Sequence, residues 1–270
     1  MSKEKPKLEI LKQEENSIEF LLTGSEPAIA NALRRTVLAE VPVMAIEDLV
    51  IYENTSPLFD EYLAHRLGLV PLTTDLKSYK LPGDCCGGNC SSCSATLSID
   101  ESGPKMVYSS SLKTTDPKIK PVSGKIPVVE LTEGQRLRLE ARAVLGKGED
   151  HVKWQAGSAS YKFMPRIETK GKLENAKELA EGCPKGALEI KKGKLSMEKP
   201  WECTMCMLCT TKGGKNVELE QDRTSFVFRV ETNGSITANE AVKKALEILH
   251  KKDKALMEEL GEGKKKKSKK

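Results

Sequence analysis

Nothing in this sequence approaches the roughly 18 uninterrupted apolar residues of a membrane span, and the opening MSKEKPKLEI carries no apolar signal segment. The chain is therefore expected to stay in the cytoplasm, away from membranes. It also lacks the clustered carboxylates that hold magnesium for phosphoryl or nucleotidyl transfer, since the nearest two aspartates, Asp75 and Asp84, stand nine residues apart. No G-x4-G-K-[ST] loop is present, and Gly146-Lys147-Gly148 reads as a strand-end turn rather than a phosphate cradle. The three histidines, His65, His151 and His250, fall in three separate predicted elements, without a nucleophile elbow or an H-E-x-x-H pair. These absences exclude a catalytic centre. Aromatic residues make up only 4%. Positive charge is also scarcer than the net value of +5 suggests, because the last eight residues, GKKKKSKK, hold six lysines. Without them the body carries 38 basic against 39 acidic residues, so any attraction for phosphate is confined to a tail that reads as solvated and disordered.

What is present is a charged globular chain of 270 residues, 38% hydrophobic and 31% charged, long enough to bury a core without covalent staples. Leu8 and Ile10, then Ile18, Phe20 and Leu22, alternate on one side of two short strands and predict a hairpin. Ser25 is placed to cap a helix carrying Ile29, Ala32, Leu33, Thr36 and Val37, which Pro42 closes. A strand over 45–52 and a second helix with Phe59, Tyr62, Leu63 and Leu67 follow. Residues 97–145 form short alternating segments, clearest at Leu137, Leu139, Ala141, Ala143 and Leu145, as in a β-rich module with one wet face. A strand over 226–230 then precedes a long helix over 237–260, with Val242, Ala245, Leu246, Leu249, Leu256 and Leu260 on one stripe. Both ends of the chain are strand plus amphipathic helix, so they are expected to pack as one α+β domain with the middle inserted.

The eight cysteines fall into two sets. Cys203, Cys206 and Cys209 form C-x2-C-x2-C, and Cys183 lies upstream in a Cys-Pro pair. In two-cluster ferredoxins the run continues x3-C-P, and that fourth cysteine serves the other cluster. Here Gly213 stands in the fourth position, and Leu173, Ala176 and Leu179 stand where the triplet before Cys183 would be. The survivors are the whole ligand set of one cluster and none of the other, which points to a single [4Fe-4S] cluster; a three-iron form, zinc and a disulfide are the alternatives. Cys85, Cys86, Cys90 and Cys93 lie within nine residues amid glycine and serine, and suit a structural zinc ion or disulfides, with free thiols as the remaining reading. The adjacent pair Cys85-Cys86 argues against zinc, because neighbouring side chains do not easily reach one tetrahedral centre.

Three segments, Asn31–Leu38 with Val41–Glu47, then Asn54–Leu58 with Ala64–Leu72, then Glu140-Ala141-Arg142 with Gly146-Lys147-Gly148 and His151, stand out together. They resemble the signatures of one family, the α-like subunits of multisubunit DNA-directed RNA polymerases. The inserted ferredoxin-like segment resembles the archaeal members, related to the bacterial α N-terminal domain. That resemblance implies a discontinuous dimerisation domain over 1–42 and 219–260, an inserted β-rich domain over 43–168, a ferredoxin-like iron–sulfur domain over 169–218 and a lysine tail over 261–270. It further implies a non-catalytic scaffold in transcription that pairs with subunit L and recruits the large catalytic and small accessory subunits, meeting DNA only through the complex. The expected partner-binding residues are Asn31, Leu33, Arg34, Arg35, Val37, Leu246 and Leu249. The competing reading, a stand-alone iron–sulfur electron carrier, would want a second redox group or a docking face for one.

Overall fold

The structure is a computed structural model that describes residues 5–87, 90–171, 173, 175–191 and 194–267, with side chains as far as 261. Its elements run β1 (Lys7–Gln13), β2 (Ser17–Thr23), α1 (Pro27–Ala39), β3 (Val43–Asn54), α2 (Asp60–Gly68), β4 (Ser94–Ser102), β5 (Lys105–Tyr108), β6 (Lys113–Thr114), β7 (Pro127–Leu131), β8 (Arg136–Gly146), β9 (Gly157–Thr169), α3 (Ala176–Glu181), β10 (Leu188–Lys191), β11 (Lys194–Met197), α4 (Leu208–Gly213), β12 (Val217–Thr232) and α5 (Ala238–Lys267). The chain is a mixture of helix and sheet, as the sequence pattern predicts. It divides into two compact units, one of residues 1–12, 19–31 and 160–229, the other of residues 13–18, 32–159 and 230–270.

The first unit holds most of a four-stranded sheet of order β1-β2-β12-β9. Alternation in β2 buries Phe20, whose ring stacks on Phe228 of β12 at 4.9 Å, while Tyr161 of β9 meets Phe226 and Phe228 edge-on or tilted. Few as they are, the aromatics are concentrated here, where large rings fill a thin layer most economically. β1 departs from expectation: it is an edge strand, and Leu8 and Ile10, at 47% and 50%, are exposed. The same unit contains the cysteine-bearing segment, in which α3 lies against the hairpin of β10 and β11 around Leu179, Leu188, Leu195 and Val217. Four buried residues make a meagre core.

The second unit carries a sheet of order β3-β8-β4-β6, and β8 is its centre, antiparallel to both β3 and β4. The expected alternation buries Leu137, Leu139, Ala141, Ala143 and Leu145 against Leu63 and Leu67 of α2. The glycines after that strand are packing devices. A Cβ on Gly146 would lie 2.3 Å from the Trp154 ring, and one on Gly148 would lie 2.3 Å from the carbonyl oxygen of Leu38. Gly146-Lys147-Gly148 is thus a close-packed strand end, and Trp154 completes it by donating from Nε1 to the carbonyl of Val144 at 3.2 Å. Lys252 of α5 pairs with Glu40 at 2.5 Å. Ser25 does not cap α1: its hydroxyl is buried without a hydrogen-bond partner, because the main chain ahead of the helix carries it inward. The tail over 261–270, expected to be disordered, is helical as far as Lys267, because a lysine run readily continues a helix; residues 268–270 lie outside the described residues.

Candidate metal centres and partner face

The first cysteine set sits on the loop that leads into β4. A one-turn 3-10 segment, Pro82–Asp84, ends at Cys85; the amides of Cys85 and Gly87 both donate to the carbonyl of Pro82, and Gly87 supplies a positive φ of 76°. Cys93 is fully buried at the threshold of β4, and its amide, with that of Ser94, donates to the carbonyl of Cys90. The result is a knot of four thiols. Cys85 to Cys90, Cys86 to Cys93 and Cys90 to Cys93 are each separated by 3.4 Å between sulfurs, and all four sulfurs lie within 4.8 Å of one another. A tetrahedral zinc site with Zn–S near 2.3 Å needs sulfurs about 3.8 Å apart, whereas a disulfide needs about 2.05 Å. All four are free thiols, spaced for an ion and not for bonds to one another.

The adjacency of Cys85 and Cys86 proves no obstacle. In a strand the two would point to opposite faces, but Cys85 has φ −135° and ψ −126°, outside both strand and helix geometry, and the two sulfurs converge. Crowding also redistributes protons. Hydrogen bonds from the Cys86, Cys85 and Cys93 thiols hold Cys90 down to about 6, while the bond between Cys85 and Cys90, with desolvation, pushes Cys85 up to about 12. A thiol held down at Cys90 among three close sulfurs is an arrangement a cation would complete.

The second set is arranged differently. Cys183, Cys203, Cys206 and Cys209 line one small apolar hollow, about 20 Å³, with Leu179, Leu188, Met197 and Leu208. Their sulfurs are not gathered to single-ion spacing; among the described residues only the first set is. Between the ligands the chain takes the left-handed region at Met205 (φ 54°) and Met207 (φ 63°), the two non-glycine residues that do so among those described. Such positions persist only where the surroundings hold them. The amide of Met205 donates to Cys203 Sγ at 3.4 Å, and burial pushes the Cys209 thiol up. Four cysteines lining one apolar hollow, with a backbone N–H on the sulfur of Cys203, are the residues that could hold a metal group here.

The structure divides the expected partner residues. Leu33 and Val37 are 4% and 1% exposed and pack inside the chain; Asn31 and Arg34 are half-buried and engaged, and Arg35 is exposed. On α5, Leu246 is exposed and Leu249 half-buried. Further along, Leu256, Met257 and Leu260 are 57%, 66% and 62% exposed. The stripe read from the sequence thus splits, Val242 and Ala245 being buried and the later residues bare. Sequence reasoning missed Met257, which lies on the same bare face as Leu246 and Leu260, and Lys162, whose contacts are made only through the fold. His65 and His151, far apart in the chain, line one small cleft with Glu47 and Lys153.

Comparison with known proteins adds the following. Residues 19–252 match the RNA polymerase Rpb3/Rpb11 dimerisation domain. The chain is similar to DNA-directed RNA polymerase subunit Rpo3 of Pyrococcus horikoshii, with 40% identity over 258 residues, 94% of this chain and 97% of that one. It is similar also to the Rpo3 subunits of Methanosarcina acetivorans, 39% over 257 residues (93% and 96%), and Methanosphaera stadtmanae, 37% over 256 residues (91% and 95%).

Proposed function

Because the chain belongs to the RNA polymerase Rpb3/Rpb11 dimerisation-domain family, we infer that it is the α-like assembly subunit of an archaeal-type DNA-directed RNA polymerase. It is a non-catalytic scaffold, a member of a nucleotidyltransferase complex whose chemistry belongs to other subunits. The family domain implies a heterodimer with a smaller partner of the Rpb11 type, subunit L. In our reading the heterodimer is a cytoplasmic platform for the large catalytic and small accessory subunits, and it meets DNA only through them. The bare stripe of Leu246, Leu256, Met257 and Leu260 on α5 carries this reading, because apolar residues left in a row on a solvent-facing helix fit an obligate interface, a core cut in half.

Both cysteine sets serve this scaffold in the same reading. Cys85, Cys86, Cys90 and Cys93 would hold one zinc ion, and Cys183, Cys203, Cys206 and Cys209 one [4Fe-4S] cluster. Each group would cross-link a loop with little core of its own, and the cluster would bring one-electron chemistry when bound. No transmembrane helix competes with the assignment: no helix among the described residues is long and apolar enough to cross a membrane. Co-expression with subunit L should give a one-to-one complex by native mass spectrometry, and the purified pair should make no RNA from template and nucleotides. A monomer indifferent to L, or polymerisation with the large subunits excluded, would overturn the assignment. Metal analysis with paramagnetic resonance on anaerobically purified protein tests the two sites, expecting zinc and iron together.

A further inference from the structure

One side chain crosses from the sheet to the loop that carries the second cysteine set. Lys162 of β9 donates to the carbonyl oxygen of Trp201 at 2.6 Å and to that of Cys203 at 2.9 Å. Trp201 belongs to the one-turn segment Pro200–Glu202, which ends at Cys203, so the ammonium grips the end of the turn that delivers the ligand. Cys203 is the buried member of its set, the other three being half-buried or exposed. Gln221 of β12 donates to Met205 Sδ at 3.2 Å, two residues further along the same loop.

An ammonium has three donors and no acceptor, and an edge-strand lysine would ordinarily send them to water. Here two are spent on main-chain oxygens of one loop, in bonds strengthened by the charge. The recipient needs such a hold, since it keeps Met205 and Met207 in a sparsely populated backbone region while its own core is slight. We propose that Lys162 is the positioning residue of the second cysteine site, fixing the turn from which Cys203 projects and setting a positive charge beside the buried ligand. This rests on the reading that the set holds a cluster: a cluster with four thiolates is anionic, and a cation held in the main chain next to it favours the reduced, more negative state.

The test uses the full-length chain with its partner and the variants Lys162→Met and Lys162→Arg. Iron per chain after anaerobic reconstitution, the rate of bleaching in air and the midpoint potential are measured, with hydrogen exchange over residues 199–207 in the metal-free protein. Lys162→Met should exchange at least tenfold faster there, as expected when even one charge-assisted bond is lost, bleach several-fold faster and have a lower potential. Lys162→Arg, which keeps charge and donors, should restore both lifetime and potential; a purely structural role would leave the potential unmoved. Parent-like lifetime, potential and exchange in Lys162→Met would overturn the proposal. Should that variant misfold by circular dichroism, Lys162→Gln, which keeps a donor and loses the charge, is judged by the same potential and exchange. If the parent takes up no iron, the cluster reading fails, and the exchange measurement alone decides the role of Lys162, unchanged exchange refuting it.

Discussion

Replacing Leu256 and Leu260 together by alanine separates an interface from a core. In the free chain both are more than half exposed, so the double variant should fold with stability within about 0.5 kcal/mol per site of the parent. Once a partner covers them, each loses what its deleted carbons gain from burial. Three carbons at about 0.8 kcal/mol each give about 2.4 kcal/mol for a wholly buried leucine. With 57% and 62% still open to be covered, about 1.4 kcal/mol remains per residue and about 3 kcal/mol for the pair. That is roughly a hundred-fold in affinity. Leu33→Ala is the opposite control: at 4% exposed it should cost about 2–5 kcal/mol of the chain's own stability, and weaken the complex only by unfolding one member. Titration against labelled subunit L, with chemical denaturation of each free chain, reads both quantities. A double variant that binds within about threefold of the parent would refute the assignment of this face.

Cys203→Ser should abolish iron uptake and make residues 199–213 sensitive to limited proteolysis, because the four-residue core beneath them is too small to hold the segment alone; mass mapping of the fragments checks it. Metal-free chain at pH 7 should be alkylated by iodoacetamide faster at Cys90, held down to about 6, than at the exposed Cys85, pushed up to about 12, and added zinc should protect the set. Since zinc requires thiolates, protons compete for the same sulfurs, so zinc affinity should fall as pH is lowered toward 6 and below, read by a chromogenic chelator. Gly146→Ala should cost about 1–3 kcal/mol, because its new Cβ would lie 2.3 Å from a ring packed in place, and a melting curve measures the loss.

Where pattern and burial coincide, the sequence was a sufficient guide. The alternation in β8 and β2 and the periodicity of α1 are direct consequences of faces packed in the chain's own core. The hairpin stripe failed at β1 for the complementary reason: Leu8 and Ile10 obey the same pattern, but an apolar side predicts burial without saying by what. Leu33 and Leu260 are likewise alike in sequence and opposite in exposure. Spacing located both cysteine sets, yet it could not bring Cys85 and Cys86 to one point, because that depends on a single unusual pair of backbone angles. Lys162 left no local signal, its partners lying 39 and 41 residues away.

The exposed edge strand β1 has a consequence for how the cell must count this protein. Among the described residues no further strand pairs with its outer side, beside Leu8 and Ile10, which makes it a template on which an extended chain could add. Copies made in surplus would pair with one another or with strangers while they wait. A partner that covers this edge would remove that hazard, so production in step with it limits stray pairing.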